Sequence, residues 1–192
     1  MRYLALDFET GGLDYDKSAP VSIGIALMEN GEVIDSYECV FAEFEKRDYT
    51  IKAMSINGIK WRDIQCGKPL AEAFKEIAAF VIENDATELP IVSHNAKFDQ
   101  QFWDVLALTL GTWKGTYPNK KFVKEIELLR GPWYCTARMA DPLRQDGKIP
   151  DCKLDSVCAY FGLSRSGETH GALEDAVLAG KVFDRLMAKV PA

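Results

Sequence analysis

Three strand-like segments within the first 41 residues constrain the fold more than any other feature of this sequence. In residues 3–8, both alternating sets of side chains are mainly apolar, which is typical of a strand buried on both faces. Residues 21–28 and 33–41 are two further strands, and they are joined through Asn30-Gly31, a dipeptide that favours a tight hairpin turn. The sequence therefore predicts an antiparallel meander of three strands at the start of the chain.

Helices dominate the rest of the chain. Pro69 is expected to start a helix that ends near Asn84, because apolar residues recur there at helical spacing. Residues 90–93 predict a short buried strand, and Asn95 is a suitable N-cap for the helix that follows. Such a strand-to-helix junction is where open α/β sheets place ligands. Further expected elements are a helical turn at 51–56, a helical segment at 122–129, a strand at 133–136 and helices at 136–139, 154–161 and 172–188.

Composition indicates one ordinary globular domain. The chain has 192 residues, of which 47% are hydrophobic, and no repeat or linker divides it, so we expect a single domain over 1–192. No apolar run reaches the roughly 18 residues of a membrane span, and the acids at 7 and 9 argue against a signal peptide. The five cysteines are odd in number and include no C-x-x-C pair, which favours a reducing compartment. We expect a cytoplasmic protein without a membrane partner.

Charge is distributed unevenly along the chain. The net charge of −6 argues against a non-specific nucleic-acid coat protein, which binds by neutralising phosphates with Lys and Arg. Residues 1–96 carry −8 and residues 97–192 carry +2. A polyanion would therefore prefer the second half, unless bound cations neutralise acids in the first.

Asp7 and Glu9 end the first predicted strand two residues apart, so their side chains project from the same face. Two neighbouring like charges repel, and such a pair is solvated, shares a proton or binds a metal ion. A solvated strand end is the simpler interpretation of this pair taken alone.

Two further groups of polar residues lie at turning points of the chain. Asn95 and Asp99 are four residues apart on one side of a predicted helix, and Asp99 lies where the positive helix end favours a carboxylate. His94 alone is more typical of a hydrogen-bonded partner at a strand end. His170 and Asp175 are five residues apart, about 140° around a helix, so they converge only if His170 precedes the helix. Asp175 alone also fits an ordinary polar position on an amphipathic helix.

Each of these residues has a simple structural interpretation when it is taken alone. If they form no shared site, all of these structural interpretations must be true at the same time. Four acids and a histidine around one sheet are what two hard divalent cations require, namely oxygen ligands and room for a substrate phosphate. A shared site is therefore the better explanation.

The sequence resembles the DnaQ-like 3′→5′ exonucleases of the DEDDh branch, whose members include the epsilon proofreading subunit of bacterial DNA polymerase III. The resemblance rests on the order and separation of LDFETGGL at 6–13, VSHNAKFD at 92–99, LDSVC at 154–158 and HGALEDA at 170–176. It implies an α/β, ribonuclease H-like mixed sheet of five strands, in which three antiparallel strands are continued by two parallel ones and helices flank the sheet.

The resemblance also implies the roles of individual residues. Two Mg²⁺ or Mn²⁺ ions would be held by Asp7, Glu9, Asp99 and Asp175, and His170 would be the general base. The terminal nucleotide would lie against Thr10, Gly11 and Leu13, while His94 and Asn95 would lie near the substrate backbone. Many relatives have Thr where this chain has Gly11, so the hydroxyl contact to the terminal sugar is not carried over to this position, whereas the metal ligands are.

The implied activity is metal-dependent hydrolysis of DNA from single-stranded or frayed 3′ ends, with release of 5′-mononucleotides. Trimming of RNA 3′ ends is an alternative within the same chemistry, because the sequence shows no contact to a 2′-hydroxyl group. A catalytically silent nucleic-acid-binding or polymerase-associated module is the alternative from another class. The expected partner is nucleic acid with a free 3′ end, and we see no polymerase-binding extension.

Aromatic and basic residues alternate between 112 and 134, for example at Trp113, Lys114, Tyr117 and Lys120. This pattern suits single-stranded nucleic acid through base stacking and phosphate contacts. A solvated loop held by a few buried rings is the simpler interpretation.

Overall fold

A mixed sheet of five strands forms the centre of the structure, a computed structural model that describes residues 1–112, 128–167 and 171–188. The strands are β1 (Arg2–Thr10), β2 (Pro20–Glu29), β3 (Glu32–Val40), β4 (Ile91–Ser93) and β5 (Trp133–Cys135), in the spatial order β3-β2-β1-β4-β5. β1, β2 and β3 pair antiparallel, whereas β4 and β5 continue the sheet in parallel with β1. This arrangement confirms the predicted fold class.

Eight helices in the described residues flank the sheet. They are α1 (Ile51–Asn57), α2 (Trp61–Gln65), α3 (Leu70–Glu83), α4 (Ala96–Thr112), α5 (Thr136–Met139), α6 (Asp141–Gln145), α7 (Leu154–Tyr160) and α8 (Ala172–Met187). The predicted start of α3 is confirmed, since Pro69 is its N-cap and Asn84 its C-cap. Neither α2 nor α6 was predicted, because each has only five residues and shows little periodicity.

Side chains of β1 alternate between two cores. Leu4, Leu6 and Phe8 pack in one core with residues of α3 and α4. Tyr3 and Ala5 pack in the other with residues of α8. Full burial of one large apolar side chain contributes about 1.5–3 kcal/mol, so this alternation fixes the register of β1. The side chains of Asp7 and Glu9 lie on the same face of β1 as those of Tyr3 and Ala5, the face that packs against α8.

The hairpin between β2 and β3 turns as the sequence predicts. Asn30 and Gly31 have φ values of 52° and 88°. A two-residue turn of type I′ requires positive φ at both central positions, and Asn-Gly meets that requirement at low cost. The meander is therefore encoded locally.

Two expectations about the wider chain have separate outcomes. Within the described residues, no helix combines the length and the apolar character needed to cross a membrane. The helical segment predicted at 122–129 lies outside the described residues except for its last two positions, which are not helical.

Candidate active site

Three carboxylates from two distant parts of the sequence meet beside the end of β1. Asp7 and Glu9 lie on β1, and Asp175 lies in the first turn of α8. One carboxylate oxygen from each lies within 4.8 Å of the other two. The register of β1 against β2 shifts between Glu9 and Thr10, and such bulges re-aim neighbouring side chains beside active sites.

Gly24 explains why α8 can begin so close to the acids. Gly24 is the cross-strand partner of Asp7. A Cβ atom at Gly24 would lie 2.2 Å from the backbone nitrogen of Leu173 and 2.3 Å from the carbonyl carbon of Ala172. The absent side chain thus lets the first turn of α8 rest directly on the sheet next to Asp7.

Asp99 reaches the same region from the first turn of α4 and is 1% exposed. One of its oxygens accepts a hydrogen bond from the backbone N–H of Phe8 at 3.2 Å. The other accepts one from the hydroxyl of Ser93, the last residue of β4. These two contacts tie the carboxylate to both β1 and β4.

Electrostatics in this cluster favour the neutral carboxyl form. Burial raises the pKa of Asp7 well above its ordinary range, and the charges of Asp99 and Glu9 raise it further. Burial also raises the pKa of Glu9, to about 7, and that of Asp99, although the hydrogen bond from Ser93 opposes that shift. Removal from water and like-charge repulsion are the general causes of such shifts.

The donor set fits hard divalent cations. Closely spaced carboxylate oxygens are the ligands that Mg²⁺ and Mn²⁺ prefer. A cation among them would also relieve the repulsion that raises the pKa of Asp7. Part of that charge is balanced within the chain by Arg165, whose side chain pairs with Asp175.

A cavity of about 730 Å³ borders Glu9. Its wall includes Thr10, Gly12, Leu13 and residues of α1. The side chain of Leu13 is 87% exposed and is available to contact a ligand. Most of the segment that the sequence predicts beside a terminal nucleotide therefore lines a pocket next to the acids.

Gly11 is buried next to this wall and is held by backbone contacts. Its N–H donates to the carbonyl of Ala19 at 2.8 Å, and its own carbonyl accepts from the N–H of Thr50 at 2.7 Å. A Cβ atom at Gly11 would lie 2.2 Å from the carbonyl oxygen of Asp48. A threonine at this position would therefore collide with the backbone of Asp48.

His94 bridges two segments of the protein. Its Nδ1 pairs with the hydroxyl of Thr136 and its Nε2 with the carbonyl of Cys152, both at 2.8 Å. Burial lowers the pKa of its ring. Both ring nitrogens are thus engaged inside the protein, as the interpretation of a hydrogen-bonded partner predicts. The place of His94 near the substrate backbone stays a prediction.

Asn95 precedes α4 as predicted, but in an unexpected conformation. Its φ is 69°, whereas an ordinary N-cap lies in the extended region. Asn tolerates the left-handed region better than most residues. Its side chain is exposed and lines a cavity with Cys135 and Arg138, at the edge where β4 and β5 end.

Several predicted features lie outside the described residues. They are His170 and, in the aromatic and basic stretch, 113–127. Their roles stay predictions.

Sequence reasoning did not single out Gly24, Ser93 or Arg165. A glycine inside a strand is a general sign of close backbone approach, so Gly24 had a usable signal. Ser93 stood in the motif at 92–99, but no role was assigned to it. Arg165 had no signal, because its partners Asp155 and Asp175 lie ten residues away on either side.

Comparisons with known proteins add evidence that is independent of this geometry. The family model RNase_T, described as an exonuclease, matches residues 4–183. The chain is 33% identical to the DNA polymerase III subunit epsilon of Rickettsia conorii, over 97% of this chain and 74% of that protein. It is 29% identical to the PolC-type DNA polymerase III of Thermotoga maritima, over 96% of this chain but only 12% of that protein.

Among solved structures, a similar fold occurs in the nuclease domain of 3′hExo, a DEDDh family member bound to rAMP. The TM-score is 0.70 at 12% identity, and the match covers 97% of this chain and 92% of that chain. At this level of identity the match concerns the fold.

Proposed function

The chain belongs to the RNase_T exonuclease family, as a 3′→5′ nuclease of the DnaQ-like, DEDDh type. On that basis we propose that it removes nucleotides from 3′ ends of DNA. Its substrates are single-stranded or frayed ends, and its products are 5′-mononucleotides. The similarity to a DNA polymerase III subunit epsilon over most of both chains supports DNA as the substrate.

One observation carries the proposal. Carboxylate oxygens of Asp7, Glu9 and Asp175 lie within 4.8 Å of one another, beside a cavity of about 730 Å³. A cluster that holds cations can bind the scissile phosphate, while the cavity takes the nucleotide beyond it. This placement at the edge of one cavity favours cleavage at a strand end.

The residues divide the chemistry between them. Asp7, Glu9 and Asp175 would hold two divalent cations, together with Asp99 from its tied position on α4. When bound, such cations supply Lewis-acid stabilisation of charge on the phosphate and on the leaving oxygen. His170 takes the proton of the attacking water, since an imidazole with a pKa of about 6.5 can act as a base near neutral pH.

The bond changes follow from these roles. The water oxygen forms a bond to phosphorus, and the bond from phosphorus to the 3′ oxygen of the preceding nucleotide breaks. The terminal nucleotide keeps the phosphate on its 5′ oxygen, and the released 3′ oxygen of the shortened strand takes a proton from solvent to become a 3′-hydroxyl group. Thr10, Gly11 and Leu13 position the terminal nucleotide during this exchange.

A matched digestion assay tests the proposal. Single-stranded DNA, duplex DNA and RNA of one sequence, each labelled at the 5′ or the 3′ end, are incubated with Mg²⁺, Mn²⁺ or EDTA. We expect stepwise shortening from the 3′ end of single-stranded DNA that stops in EDTA. Faster digestion of RNA would assign the chain to the RNA-trimming alternative, and undiminished digestion in EDTA would contradict the metal site.

Two variants connect that assay to the residues. Asp7→Asn should abolish digestion and weaken metal binding together. His170→Ala should lower turnover by about 10² to 10⁴, as expected for loss of a general base, with metal binding nearly unchanged. A parallel loss of metal affinity in His170→Ala would instead identify this histidine as a ligand.

A further inference from the structure

Arg165 lies in the segment that follows α7, and its buried guanidinium group lies in the carboxylate cluster, beside Asp175. Nη1 of Arg165 pairs with Oδ1 of Asp175, and its Nε lies 2.9 Å from Oδ1 of Asp155 on α7. The side chain of Arg165 is only 10% exposed. Both atoms of its pair with Asp175 are shielded from solvent.

The residue after Arg165 is also held in place, by hydrogen bonds to Glu174 on α8. The N–H and the hydroxyl of Ser166 donate to one oxygen of Glu174, at 2.6 and 2.7 Å. Glu174 immediately precedes Asp175 on α8. Asp155 and Glu174 therefore hold the segment at two points and direct the guanidinium group towards the acids.

Arg165 lies where a bound cation would also act. Its charge opposes the upward pKa shifts of both Asp7 and Glu9, so its field reaches all three clustered acids. It also lies in direct contact with an oxygen of Asp175. A cation that uses this oxygen as a ligand has to compete with the guanidinium group for it.

We propose, on the basis of the proposed function, that Arg165 is the internal counter-ion of the metal-free site and that divalent cations must displace its guanidinium group from Asp175 in order to bind. Arg165 is thus a positioning residue. It keeps the acids assembled without metal, and its ion pair sets the metal concentration at which the enzyme becomes loaded. A permanent structural pair that never separates is the competing account.

Metal binding to the full chain separates the two accounts. We would titrate Mn²⁺ by calorimetry into the wild type, Arg165→Gln and Arg165→Lys. Removal of the competing charge should tighten Mn²⁺ binding in Arg165→Gln by about tenfold, within the usual range of energetic coupling between sites. Arg165→Lys keeps the charge and should remain close to the wild type. Arg144→Gln is the matched control, because Arg144 pairs with Asp141 at 2.8 Å outside the cluster.

Thermal melting gives a readout that does not depend on catalysis. In EDTA, Arg165→Gln should melt about 5 °C or more below the wild type, because one partner of a buried ion pair is lost. Saturating Mn²⁺ should remove most of that difference. A difference that persists unchanged in Mn²⁺ would overturn the proposal in favour of the permanent pair.

Further outcomes are equally decisive. Unchanged or weaker Mn²⁺ affinity in Arg165→Gln, with the wild type binding metal and digesting DNA, would overturn this inference and leave the proposed function intact. Absence of Mn²⁺ binding in the wild type would overturn both. If Arg165→Gln fails to fold, Asp155→Asn replaces it in the test. Loss of the exposed Asp155 carboxylate, which holds Arg165, should tighten Mn²⁺ binding severalfold. Unchanged affinity would overturn the inference.

Discussion

Single carboxyl groups in the cluster link its chemistry to the stability of the fold. The pKa of Glu9 is about 7 in the folded chain and about 4.3 in an unfolded one; burial shifts the pKa of Asp7 and Asp99 in the same direction. A carboxyl group whose pKa is raised by folding stabilises the fold fully below its unfolded pKa. That contribution is lost as the pH rises through the folded pKa.

The metal-free protein should therefore become less stable as the pH rises from 5 to 8. Urea denaturation in EDTA should show a falling free energy of unfolding, on the order of 1.4 kcal/mol for each unit by which folding raises a pKa. Saturating Mg²⁺ should flatten the decline, because bound cations compensate the ionised acids. Glu9→Gln is the control that lacks one titrating group and should show a shallower slope. An unchanged slope in this variant would contradict a contribution from Glu9.

At the scale of elements, the contact of α8 with β2 decides where Asp175 lies. Gly24→Ala would place a methyl group 2.2 Å from the backbone nitrogen of Leu173, so either α8 or the sheet must shift. We expect a loss of about 1–3 kcal/mol in the free energy of unfolding, as for other overpacked sites. A shift of about 1 Å at Asp175 should also lower the nuclease rate by about 10².

Urea denaturation and initial digestion rates measure both effects of Gly24→Ala. Gly167→Ala is a suitable control, because a Cβ atom there meets nothing within 4 Å. Normal stability and full activity in Gly24→Ala would contradict the close approach of α8.

Elements were predictable from sequence where the signal is local. The Asn30-Gly31 turn, the Pro69 start of α3 and the alternation in β1 each depend on neighbouring residues, and the structure has them as predicted. A hydrogen-bonded role for His94 was predictable, but its partners were not, because Cys152 is far away in sequence. The positive φ of Asn95 was not predicted from its place before the helix.

The same distinction holds within the candidate site. Asp7 and Glu9 form a recognisable pair because two-residue spacing places them on one strand face. The approach of Asp175 depends on Gly24 and on the packing of a helix from the other end of the chain. Their common place at turning points of the chain indicated a shared site before the fold was known, and the resemblance to a family added the role of each residue.

The whole molecule is acidic although its proposed substrate is a polyanion. Two divalent cations would change the net charge from −6 to about −2, and they would do so at the cluster itself. Bound ions are often the largest local charges in a site. Nucleic-acid binding should therefore depend on metal even when no hydrolysis occurs.

Fluorescence anisotropy with a labelled single-stranded oligonucleotide tests this dependence. Ca²⁺ replaces Mg²⁺ to slow hydrolysis, and we expect binding at least about tenfold tighter than in EDTA. Asp175→Asn provides the comparison, since loss of one ligand should reduce the Ca²⁺ effect. Equal affinity in Ca²⁺ and EDTA for the wild type would show that the substrate is held elsewhere.

The backbone contacts of Gly11 also bear on how an inhibitor of the proposed nuclease would bind and on which substitutions would make the protein resistant to it. Its N–H and carbonyl are already bonded to Ala19 and Thr50, and the carbonyl of Asp48 occupies the place of a side chain. Asp48 and Thr50 line the cavity, so an inhibitor bound there would lie against a segment that is held by main-chain hydrogen bonds, which a substitution leaves in place. One that depends on the exposed side chain of Leu13 can be defeated by a single substitution, so resistance should arise there first.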